Sequence, residues 1–141
     1  MSDDEEGSTL LLTIFLGALS LVLVLIVVAA TSLYQDRKRL FTLADGAALA
    51  GAESFELTDV TAGEAGVRPT LSGPRVAAAV DEYLRSAPTA LDDLAVIDAG
   101  TPDGQSATVT LSAYWRPPVV ALLVPEGVRL EVTAVARSVF G

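Results

Sequence analysis

The order of apolar and polar positions divides this chain into two unlike parts. From Leu10 to Leu33 no charged residue occurs, and Leu and Val dominate. As an α-helix at about 1.5 Å per residue the run spans roughly 36 Å, enough to cross a bilayer. The helical pattern does not stop there, because Tyr34 to Ala52 contains no Pro and closes in an Ala-rich stretch whose first Gly is Gly46. One long helix is expected, with a transmembrane part (10–33) and a stalk-like extension (34–55), preceded by an acidic tail (1–9). In the extension Ala44, Ala48 and Ala52 recur at every fourth residue, as do Ala47 and Gly51. That spacing gives two adjacent smooth ridges on which other backbone can lie close. The surface serves either the chain's own domain or a neighbouring subunit. Within the span Gly17 shares a face with Thr13 and Ser20, which adds it to the candidate helix-packing positions.

The remainder reads as a small α+β domain over residues 74–141. Residues 56–73 carry Gly63, Gly66, Pro69 and Gly73 among Thr and Glu, and read as a loop. Pro74 suits a first helical turn, and Val76, Val80, Tyr83, Leu84 and Ala87 form an apolar stripe that Pro88 ends. Leu94 to Ala99 is a short apolar strand, followed by a Pro-Asp-Gly turn at Thr101 to Gln105. Ala107, Val109, Leu111, Ala113 and Trp115 then alternate with Thr108, Thr110, Ser112 and Tyr114, a clean two-residue period. Val119 to Val124 suggests one helical turn, and Val128 to Val139 a last strand. The fold class that follows is a long N-terminal transmembrane helix with a stalk, then one amphipathic helix on a three-stranded antiparallel sheet.

Charge and composition narrow the function. The net charge is −9, with Asp3, Asp4, Glu5 and Glu6 ahead of the span and most other acids after the extension. No basic patch is available to nucleic acid, so none is expected as a partner. The chain has neither Cys nor His, which removes the commonest general base, the thiol nucleophile and the usual zinc and haem ligands. No enzyme activity, catalytic residue, cofactor or metal is therefore expected. Asp92, Asp93, Asp98 and Asp103 cluster around the first hairpin, but they lack the ordered ligands of a calcium loop and read as a solvated turn. Trp115, beside Arg116 and Pro117, is either core filling in the inward register or part of a partner surface. Asp45 is either a specific contact in a helix bundle or a solubilising residue.

The stretch Arg37 to Phe55, RKRLFTLADGAALAGAESF, carries a further signal. A membrane helix, a basic turn and an Ala-Asp pair running into AALAGA resemble the region behind the membrane helix of TadG-related and TadE-like proteins of tight-adherence (Flp) pilus assembly. Ala44, Asp45, Ala47, Ala48, Leu49, Ala50, Gly51 and Ala52 are the clearest carriers. The resemblance implies a membrane-anchored pseudopilin-like or accessory subunit, with other pilin-like subunits, the membrane platform of the pilus machinery and the lipid bilayer as partners. It also implies an extracytoplasmic C-terminal domain on a single-pass protein of the cytoplasmic membrane. Cleavage after Gly7 would place Leu12 where prepilin substrates resemble one another in having an acidic residue, so an unprocessed anchor is expected. Arg37, Lys38 and Arg39 point the other way on topology, since cations beside a span favour the cytoplasmic side. The competing reading is a single-pass ectodomain that binds a ligand or partner and has nothing to do with pili.

Overall fold

The computed structural model describes residues 2–54, 60–63 and 66–137. Helix α1 runs unbroken from Ser2 to Ala52, roughly 75 Å at 1.5 Å per residue. Its continuity follows from the absence of Pro, and the threonine hydroxyls of its apolar run are absorbed internally. The hydroxyls of Thr13 and Thr31 donate to the carbonyls of Thr9 and Val27 at 2.8 and 2.9 Å, so neither needs water. The helix ends where the Ser54 hydroxyl donates to the Gly51 carbonyl at 2.6 Å. The acidic tail expected over 1–9 is helical from Ser2 onward rather than a separate segment.

A two-stranded antiparallel hairpin follows, β1 (Val60–Gly63) with β2 (Gly66–Pro69). This corrects the expectation of an irregular loop over 56–73. Four-residue strands are too short for a two-residue period to show against the surrounding glycines. Residues 56–59 and 64–65 lie outside the described residues. Helix α2 (Gly73–Ser86) opens with Pro74 in its first turn, and its cap at Ala87 precedes Pro88.

The sheet consists of β3 (Asp92–Gly100), β4 (Ser106–Trp115) and β5 (Val128–Arg137), antiparallel in the order β3-β4-β5, with a six-residue helix α3 (Pro118–Leu123) joining β4 to β5. In β4 the expected inward set, Ala107, Val109, Leu111, Ala113 and Trp115, is buried. Its partners on β5, Ala136, Ala134, Val132, Leu130 and Val128, are in register with it. Strand β3 is irregular, with register shifts between Asp92 and Ala95 and between Val96 and Asp98. Asp93 adopts φ 49° there, a conformation that Asp tolerates better than most residues.

Helices α1 and α2 cover the same face of the sheet. The extension of α1 lies over β4 and β5, and α2 packs beside it against β3. The shared core contains Leu40, Ala44, Ala47, Ala48 and Ala52 of α1, Val76 and Val80 of α2, Ala107, Val109, Leu111 and Ala113 of β4, and Val132 and Ala134 of β5. The opposite sheet face carries Thr110 and Thr133, whose hydroxyls are 2.9 Å apart. It is the solvated side that an antiparallel sheet tolerates.

The Pro-Asp-Gly turn between β3 and β4 is closed by Asp103. Its carboxylate accepts the backbone N–H groups of Gln105 at 2.9 Å and Ser106 at 2.6 Å, and the Ser106 hydroxyl at 3.0 Å. These donors, led by the Gln105 amide, hold the Asp103 carboxyl below its ordinary pKa near 3.8. A lowered folded value contributes stability that is complete above 3.8 and lost as pH falls through that lowered value. Asp103→Asn is thus expected to lower the denaturation midpoint at neutral pH, with the gap to the parent closing in acid. Denaturant titrations at several pH values check this.

Candidate functional site

The most developed surface of the molecule is the seam where the long apolar helix meets its own domain. Leu40, Ala44, Ala47, Ala48 and Ala52 are fully or almost fully buried, and Gly51 is buried among them. The reason is size. A Cβ placed on Gly51 would meet Val76 Cγ1 at 3.0 Å and the Cβ of Ala107 at 3.1 Å, so α1, α2 and β4 converge at this one point. One turn away a Cβ on Gly46 would run into the Tyr83 hydroxyl. Small residues at these positions let helix backbone approach both a sheet and a second helix.

The same geometry fixes direction. Ala107, at the start of β4, lies against Gly51, whereas Trp115, at its end, donates its indole N–H to the Ser32 hydroxyl at 3.1 Å. Nineteen helical positions at about 1.5 Å match eight strand positions at about 3.3 Å, so β4 runs antiparallel along α1 without offset. Trp115 is buried, and its indole ties the end of β4 to the last turns of the apolar run.

The remaining candidates separate clearly. Gly17 stands in the exposed span with nothing within 4 Å of its Cβ position. Asp45 is exposed on the extension, outside the seam. Sequence reasoning missed its neighbours: Tyr34, Phe41 and Leu49 are all more than half exposed, and at spacings of seven, four and four they share one helix face with Asp45. The missed signal was the recurrence of large residues on a face other than the alanine ridges. Beside this face a shallow cleft of about 410 Å³ is lined by Tyr34, Lys38, Phe41 and Val132, among others.

A second cleft, of about 420 Å³, lies between the extension and the α2–β3 connection, where Lys38, Arg39, Leu43, Tyr83 and Leu91 line it. Among the described residues no three carboxylates converge as a metal cluster would require. Asp93 is instead ion-paired to Arg116 at 2.6 Å, and Asp103 serves its own turn.

Residues 7–54 match the family model Tad, described as Flp pilus-assembly TadE/G-like. The match covers the span and the alanine-rich extension together, and the resemblance read from Arg37 onward falls within it as far as Ser54. The description of that model is one of Flp pilus assembly. Neither the comparison with curated proteins nor that with solved structures returned a match.

Because the alanine ridges are filled by the chain's own sheet and α2, bulk added there acts on folding first. Ala48→Leu and Gly51→Val are each expected to destabilise the domain by about 1–3 kcal/mol through overpacking. Alanine or serine at the exposed Leu49 is expected to stay within about 0.5 kcal/mol of the parent. Denaturant midpoints of the full chain in detergent micelles distinguish these outcomes.

Proposed function

We propose that the chain is a membrane-anchored structural subunit of a tight-adherence pilus assembly apparatus, pseudopilin-like or accessory, and without catalytic activity. The observation that carries this reading is the continuity of α1. A helix long and apolar enough to cross a membrane enters the domain core without a break and supplies a large part of that core. Force or displacement applied to the domain is thereby delivered to the anchor through packed side chains. No flexible linker intervenes.

The surface left for a neighbour is the Tyr34, Phe41, Asp45 and Leu49 face, three large side chains with Lys38 and the Asp45 carboxylate among them, together with the small-residue face of the span at Gly17. A second pilin-like helix laid along it would bury the three large side chains and place a cation or hydroxyl opposite Asp45. The lack of His and Cys in the chain supports a structural rather than a chemical task. For topology we adopt the extracytoplasmic orientation that fits an assembly outside the cytoplasmic membrane. The basic cluster Arg37–Arg39 then sits on the side disfavoured by the charge rule, and a dedicated insertion route has to place it there.

The competing reading, a ligand-binding ectodomain, draws on the cleft between Leu43, Tyr83 and Leu91. A subunit reading predicts that Phe41→Glu and Leu49→Glu each abolish co-purification with other pilin-like subunits while the folded chain stays in the membrane. Unchanged co-purification of both variants sinks the proposed face. Protease added to intact cells from which the outer barrier has been removed is expected to digest the C-terminal domain, and digestion only after lysis reverses the orientation.

A further inference from the structure

Helix α3 and its flanks form the most exposed apolar patch of the domain. Leu122 and Leu123 are 84% and 83% exposed, and Val119, Val124 and Val128 are each at least 40% exposed. The patch is held in place by its frame. The Arg116 side chain donates to the Glu126 carbonyl at 3.1 Å and pairs with Asp93, closing the connection between β4 and β5 at its base. Inside it, Ala121 and Val124 donate backbone N–H groups to the carbonyls of Pro117 and Val120 at 2.8 and 2.7 Å. Gly127 completes the return at φ 77°, where a Cβ would lie 2.6 Å from the Trp115 carbonyl oxygen. Leucines at the tip of a pinned loop are a built feature of the fold, and they are too many and too contiguous for an ordinary aqueous surface.

Position says what covers them. Strand β4 descends α1 towards the apolar span, and the Trp115 indole is bonded to Ser32, within the apolar run that ends at Leu33. The α3 connection continues from Trp115 at that same end of the sheet. On α1 every residue from Glu5 to Val28 is exposed, while Ala29, Ser32 and Leu33 are half-buried. The domain therefore reaches at least to Ala29, about 6 Å along the axis below Leu33. Trp115, Tyr34, Arg37 and Arg116 gather at this level, the mixture of aromatic and basic residues that favours a headgroup zone.

We propose that α3 is a second membrane contact: its Leu122–Leu123 tip dips into the lipid interface beside the span, so that the domain sits on the bilayer rather than above it. The proposal rests on α1 crossing the bilayer. It gives the domain a fixed height and a fixed rotation about the α1 axis, since only one side of the anchor carries the tip. An apolar tip of this kind binds lipid through burial of its side chains, without needing anionic headgroups.

The chain contains no Cys, so single cysteines can be introduced into the full protein without background. Leu122→Cys and Leu123→Cys, labelled with an environment-sensitive fluorophore and reconstituted in phosphatidylcholine vesicles, are expected to show blue-shifted emission and quenching by doxyl-labelled lipid. Leu23→Cys serves as the mark for the span and Pro102→Cys, on the opposite end of the sheet, as the mark for water. Positions 122 and 123 behaving like 102 while 23 reports lipid overturns the α3 contact and leaves the anchor intact. An aqueous signal at 23 overturns the anchor reading, and the α3 contact falls with it.

Discussion

Burial of one smooth face of α1 against a three-stranded sheet is the interaction on which the rest of this structure depends. The domain after the helix is small, and three strands with a single amphipathic helix leave much of their inward face open to water. Leu40, Ala44, Ala47, Ala48, Gly51 and Ala52 close that face. Without the extension of α1, the buried row of β4, from Ala107 to Trp115, would lose its cover. The long helix is therefore part of the domain's core as well as the element from which the domain extends.

One helix thus answers to two solvents in succession. From Leu10 to Val28 it presents mainly apolar side chains all round, the character a helix needs in order to cross a membrane. From Ala29 onward one side is shielded by protein, and the opposite sides return to polar residues interrupted by Tyr34, Phe41 and Leu49. The changeover lies within a few residues of the Trp115–Ser32 bond, where the end of β4 meets the last turns of the apolar run. Any partner arriving along the extension meets a helix that is already immobilised on one side, so little conformational entropy remains to be lost on association.

The connection through α3 shows the same economy at this same end of the sheet. Arg116 ties the β4 terminus to Glu126 and to Asp93 of β3, and its guanidinium lies 5.2 Å from the centre of the Tyr114 ring. One side chain thereby organises the edge of the domain that lies nearest the apolar run. Asp103 performs the corresponding task at the far edge, where its carboxylate gathers the turn between β3 and β4.

The long helix, its lack of interruption, α2 with its proline ends, and the inward set of β4 were all legible in the sequence. Each is a local property: a hydropathy run, a period or a breaker. The short β1–β2 hairpin was not, because four-residue strands rich in glycine carry no period. Nor did the sequence decide what the alanine ridges face. Small side chains report only that something comes close, and whether it is the chain's own sheet or another molecule depends on where β4 and α2 return in space. The burial of Trp115 and its bond to Ser32 likewise follow from where β4 returns along α1. Tertiary structure also separated the exposed face of Tyr34, Phe41, Asp45 and Leu49 from the buried one, since both follow the same helical period and only packing distinguishes them.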